Sequence, residues 1–175
     1  DTLNSFTPIF GDIGVINLFR YANNFGLRLG RLRWVLEGLN SPTGCYIETE
    51  LVDGTGTATN IGDGNWHHLA LYNAVDGNTN RANIVNCKIY LDGVELTNTT
   101  ENVGSAAIRG FAGGNLVMGA GNSGSSSGQV YLNGNLDEFA YFTNYELTQS
   151  DVTAIYNSGV PNNLNDLTTP PVPWY

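Results

Sequence analysis

The chain is divided into short apolar runs by turn residues, and within several runs the apolar positions recur with a period of two. Phe25, Leu27 and Leu29 alternate with Gly26, Arg28 and Gly30. Cys45, Ile47, Thr49 and Leu51 alternate with Tyr46, Glu48 and Glu50, and Asp53-Gly54 closes that run. Such a pattern marks half-buried strands, each with one face to cover. Many of them in one chain call for sheet stacked on sheet. Further runs at 7–10, 15–21, 32–37, 66–72, 84–91, 115–119, 129–132 and 134–142 bring the expectation to about nine or ten short strands. A hairpin is expected at Gly30-Arg31, and Asp92-Gly93, with Val94, Leu96 and Thr97 returning, is a strong hairpin turn. No fixed repeat runs through the sequence, which argues against a propeller or solenoid.

Composition supports an all-β reading. Gly occurs 22 times and charged residues make up only 13% of the chain, whereas surface helices are normally rich in Glu and Lys; Lys88 is the single lysine. A helical bundle is excluded. At 41% hydrophobic the chain is too apolar for disorder, and 175 residues suit one domain.

One helix is expected near the end. Thr148-Gln149-Ser150-Asp151 reads as a capping box in its Asp form, and Gly159 as the stop. The helix should cover roughly 149–157 and bury Val152, Ile155 and Tyr156. Beyond it the chain turns polar and then proline-rich. The division is therefore one domain over 1–165 and a tail or linker over 166–175, with Trp174 packed on this domain or a following one. Residues 121–128 read as a flexible loop.

Net charge limits the partners. Seven basic residues against sixteen acidic ones give −9, which cannot neutralise a phosphate backbone, so nucleic acid is not expected. No apolar run approaches the ~18 residues of a membrane helix, so no membrane insertion is expected. The start, Asp1-Thr2-Leu3, has neither an initiator Met nor the pattern of a signal peptide; it reads as processed or cut from a longer polypeptide. Cys45 and Cys87 leave two readings open, a bridge or two buried thiols, and no spacing suits zinc. The Asn98-Thr99-Thr100 sequon matters only in a eukaryotic secretory setting.

Five segments in order resemble one family. They are Asn65-Trp66-His67-His68-Leu69-Ala70-Leu71, Ile89-Tyr90-Leu91-Asp92-Gly93, Leu116-Val117-Met118-Gly119, the segment 133–142 around Asp137, and 147–156. Together they resemble laminin-G-like and pentraxin-like domains over most of 7–165. The resemblance implies a two-sheet antiparallel β-sandwich, the concanavalin A-like jelly roll, with one short C-terminal helix packed outside. It also implies that the family's first core strand is missing ahead of residue 8. A partner segment would then cover the edge.

The motif residues have structural readings. Trp66 should bury its ring between the sheets, Asp92 and Gly93 form a turn, and Asp137 accepts from loop amides. On a regular strand His67 and His68 point to opposite faces, His67 to solvent and His68 inward, and neither suits a catalytic base.

Enzymes of this sandwich fold place two carboxylates about 5–5.5 Å or 6.5–9.5 Å apart. The nearest imitation is Glu48, Glu50 and Asp53, but Asp53 has the wrong parity and the Glu-x-Asp-x-x-Glu pattern of the related hydrolases is missing. No enzyme is expected. Calcium is a possible ligand. The pentraxin-type pair would fall loosely at Asn23-Asn24, but its acidic cluster would fall at 121–123, where there is no carboxylate. A simpler laminin-type rim site could draw on Asp53, Asp63 or Asp76, with no choice among them.

Carbohydrate binding is what the resemblance leaves. The loop residues suited to sugar hydroxyls are Asn23, Asn24, Asp76, Asn78, Asn122 and Ser123, and Tyr72, Tyr141 or Tyr145 could stack on a sugar. The chain also resembles such domains in phage structural proteins and secreted adhesins. The expected setting is therefore extracellular or on a virion surface, facing a glycan or cell-surface polysaccharide and other chains of an assembly. A structural or decoration domain making protein contacts is the alternative.

Overall fold

The computed structural model describes residues 7–12, 16–20, 31–38, 41–51, 61, 64–72, 86–102, 116–122, 129–142 and 145–171. Four strands form an antiparallel meander, β1 (Thr7–Asp12), β2 (Ile16–Arg20), β3 (Arg31–Gly38) and β4 (Ser41–Leu51). A second group follows: β5 (Leu69–Tyr72), β6 (Lys88–Leu91) and β7 (Val94–Glu95). Then come β8 (Asn98–Asn102), β9 (Leu116–Met118), β10 (Ala120–Asn122) and β11 (Gln129–Tyr131), and the helix α1 (Gln149–Tyr156). The large sheet has the order β8-β4-β3-β2-β1-β9, and the small one β5-β6-β7. The expected all-β architecture of two antiparallel sheets and one short helix is present.

Side-chain alternation decides which face each strand buries. On β3, Leu32 and Trp34 are buried while Arg33 and Val35 are half-buried. The register sets Trp34 opposite Ile47, and both are buried; Arg33 stands opposite Glu48. The Thr49 hydroxyl accepts from the Leu32 amide at 3.1 Å, so this buried polar group keeps a partner. The small sheet is buried on both faces at β6. Tyr90 packs with Leu147 and Val152, with Ala70, Tyr72, Tyr145 and Ile155 around them. Cys87, Ile89 and Leu91, also buried, have the opposite parity. Cys87 carries a buried thiol, which favours that reading over a bridge.

Pro8 has no amide to give, and the β1–β2 register slips between Pro8 and Phe10. Ile9 in that bulge gives its carbonyl to the Gly119 amide at 2.8 Å. Gly119, at φ 69, bends the chain from β9 into β10. The β10–β11 ribbon thus continues from the β9 edge of the large sheet.

The helix begins as expected. The Thr148 hydroxyl accepts from the Asp151 amide, and the Asp151 carboxylate accepts from the Thr148 amide at 2.8 Å. Of the side chains expected to be covered, Val152 is buried and Ile155 and Tyr156 are half-buried. The stop comes earlier than Gly159: Asn157 and Ser158 already have φ of 44 and 57. The following chain stays packed, with Leu164 and Pro171 buried and the Asn162 side-chain amide donating to the Ala154 carbonyl at 3.1 Å. Trp174 lies outside the described residues.

The strands differ from the sequence reading at three places. Residues 134–142 hold only an isolated bridge at Ala140. Glu138 has φ 55, which no strand accommodates, and its amide is taken by the Asp137 carboxylate at 2.9 Å. β8 is a strand of polar residues with no apolar alternation to announce it. Gly121 and Asn122 belong to β10 rather than to a loop.

Candidate functional site

The best-defined cluster of motif residues lies where β5, the β6–β7 turn and α1 meet. Leu91 pairs with Val94 across a two-residue loop in which Asp92 (φ 50) and Gly93 (φ 81) are both left-handed, the geometry of a type I′ hairpin. Asp tolerates this conformation better than most residues, and Gly93 has a second constraint. A Cβ on Gly93 would stand 2.8 Å from Cδ1 of Tyr156, so the helix is seated against a bare backbone. The Gln149 side-chain amide donates to the Gly93 carbonyl at 2.6 Å, and the His68 and Tyr156 rings lie 5.8 Å apart.

Asp92 ties the turn to the segment before β5. Its amide donates to the His68 carbonyl at 2.9 Å, and its Oδ1 accepts from the His68 amide at 2.9 Å. Its Oδ2 lies 2.8 Å from His67 Nδ1, with the His67 side chain 10% exposed. His67 is therefore turned onto Asp92 and not out to solvent as expected. This capture also explains why β5 starts at Leu69 and not at Trp66. His68 is half-buried as expected; its Nδ1 is buried with no hydrogen-bond partner, and burial lowers its pKa against a smaller opposing pull from Asp92.

Trp66 departs most from expectation. Its side chain is 68% exposed, where a core ring was expected between the sheets. Three residues ahead of the strand start, it lies outside the backbone pairing of β5, whose first pair is Leu69 with Leu91. A large apolar side chain left in water forgoes roughly 1.5–3 kcal/mol of burial free energy. Tyr131 and Tyr141 are also exposed. Asp137 is exposed and accepts from a loop amide, as expected.

Of the candidate carboxylates, only Glu48 has a described side chain. Glu48 is 1% exposed and its Oε1 accepts from Arg33 Nε at 2.6 Å and also from Arg33 Nη2. The Arg33 guanidinium lies 3.8 Å from the Tyr46 ring centre. Glu48 is thereby a buried cross-strand anchor, closed off from any substrate. The Glu50 side chain, and Asp53 entirely, lie outside the described residues. So do Asn23, Asn24, Asp76, Asn78 and Ser123; Asn122 has a described backbone in β10 only. Among the described residues no group of three His, Cys, Asp or Glu side chains could hold a metal ion. No helix among them is long and apolar enough to cross a membrane.

The antiparallel sheets, the single short helix and the Trp-His-His to Asp-Gly staple define a mostly β domain of the concanavalin A-like type. The chain belongs to the concanavalin A-like lectin/glucanases superfamily: its laminin G-type family model matches residues 17–153. No curated protein and no solved structure matched the chain significantly.

The sequence pointed to the staple residues but not to how they join. Strand parity turns His67 to solvent, and it fails once a turn carboxylate competes for the ring. Gln149 and Tyr156 carry a helical pattern only, and nothing in it signals that they seat on Gly93.

Proposed function

We propose that this chain is a non-catalytic carbohydrate-binding or adhesion module of a secreted surface protein or virion. The family match to a lectin/glucanase superfamily carries the reading. Its partner would be a glycan or cell-surface polysaccharide, with other chains of an assembly beside it. Two features support binding over hydrolysis. Glu48, the one described member of the candidate acid set, is locked to Arg33, and three aromatic rings, Trp66, Tyr131 and Tyr141, face solvent.

The test is a glycan-array screen of the folded protein, run with calcium and again with chelator. Binding in both arms is the expected result and makes it a calcium-free lectin. Binding abolished by chelator would make it a calcium-dependent lectin.

A second reading is a structural or decoration domain that works through protein contacts. Val94, Val160, Met118 and Leu136 are exposed apolar side chains, which favours it. Silence in both arms of the screen would shift the account to this reading.

A further inference from the structure

Exposure and rigidity coincide at Trp66. Its indole is open to solvent, yet the next two residues are held at Asp92 through the His67 ring, the His68 amide and the His68 carbonyl. Before it, Gly64 turns the chain at φ 86, and a Cβ there would meet nothing within 4 Å, so the space at that turn is open. A ring displayed on a pinned segment loses little freedom when something settles on it.

The surroundings indicate what that ligand is. Anchor rings in protein interfaces sit among further apolar side chains that exclude water. Trp66 instead follows exposed Gly64 and Asn65 and precedes His67 with its Asp92 carboxylate. An exposed ring whose chain neighbours are Gly64, Asn65 and His67 offers one flat apolar surface, which matches a pyranose with one C–H face and a rim of hydroxyls. The chain's net charge of −9 opposes anionic sugars.

We infer that Trp66 is a stacking platform for the apolar face of a neutral hexopyranose. This rests on the carbohydrate-binding reading and names both a residue and a sugar class for it.

The experiment titrates the full chain with neutral β-glucan, galactan and mannan oligosaccharides, and with oligogalacturonate as the charged counterpart. Trp66→Ala should weaken the best neutral binder by about tenfold or more, equivalent to about 1.4 kcal/mol. Trp66→Phe should weaken it less, with the unfolding midpoint retained in both. Unchanged binding by a folded Trp66→Ala overturns the platform and leaves the carbohydrate reading standing. A preference for oligogalacturonate overturns the sugar class. No binding of any oligosaccharide by the wild type overturns the carbohydrate reading and the platform with it. If Trp66→Ala does not fold, oxidation of Trp66 by N-bromosuccinimide, mapped by mass spectrometry in the wild type, decides. Protection by the bound sugar supports the platform, and unaltered oxidation overturns it.

Discussion

His67 Nδ1 lies 2.8 Å from Asp92 Oδ2, so a residue ahead of β5 is bound to the first turn residue after β6. The same carboxylate takes the His68 amide at 2.9 Å. One aspartate thus holds two adjacent residues that lie 25 and 24 positions before it in sequence. It explains physically why the Trp-His-His and Asp-Gly motifs occur together: each supplies what the other needs.

Removing that carboxylate should be costly. Asp92→Ala leaves the His68 amide and the His67 ring without their acceptor and puts an alanine at φ 50. Hydrogen bonds to charged groups contribute about 1.5–3 kcal/mol, and a loss in that range is expected in urea unfolding. Asp92→Asn, which keeps an acceptor and tolerates the left-handed backbone, should lose less. Equal stability of Asp92→Ala and wild type would remove the staple from the account.

Gly93 is limited twice, by its φ of 81 and by the Tyr156 ring. Gly93→Ala should destabilise by about 1–3 kcal/mol through overpacking, with backbone strain added. In a double-mutant cycle, Tyr156→Ala should recover the steric part and leave the strain. Strict additivity of the two substitutions would mean that the helix does not seat on this turn.

Helix capping can be tested separately. Thr148→Ala removes the hydroxyl that accepts from the Asp151 amide and should lower stability by about 0.5–2 kcal/mol. Thr148→Ser should be close to wild type. Circular dichroism melts of both variants decide between cap and bystander.

Two groups make stability depend on pH in identifiable windows. Burial holds His68 below its ordinary value of 6.5, so the folded state favours the neutral ring. As pH falls through 6.5 the unfolded chain binds its proton first, and stability declines until the folded ring also titrates. Asp151 is held below 3.8, chiefly by the Thr148 hydroxyl. Its contribution is present above 3.8 and is lost as pH falls through its folded value. His68→Phe should therefore flatten the stability profile just below pH 6.5 relative to wild type, and Asp151→Asn should flatten it only in the acid region. Parallel profiles of His68→Phe and wild type would contradict the burial of this ring.

Much of the fold was legible because burial writes a period of two into a strand. Leu32 and Trp34 against Arg33 and Val35 is such a record, and so is the capping box at Thr148 and Asp151. β8 was not legible, since its run of Asn, Thr and Glu carries no apolar alternation. The segment 134–142 misled because its apolar residues suggest a strand, while a left-handed Glu138 interrupts it. Trp66 misled for a related reason: its size argues for burial, but its place depends on where pairing stops, which composition does not record. The loop residues proposed for sugar contact, Asn23, Asn24, Asp76, Asn78 and Ser123, lie outside the described residues.

The central claim, binding without catalysis, is tested most directly by one paired measurement. The full chain is titrated with its best oligosaccharide from the array, and the same mixture is then analysed by mass spectrometry after prolonged incubation. The account predicts saturable binding with the oligosaccharide recovered intact. Shortened products with new reducing ends, abolished by Glu48→Gln or Glu50→Gln, would contradict it.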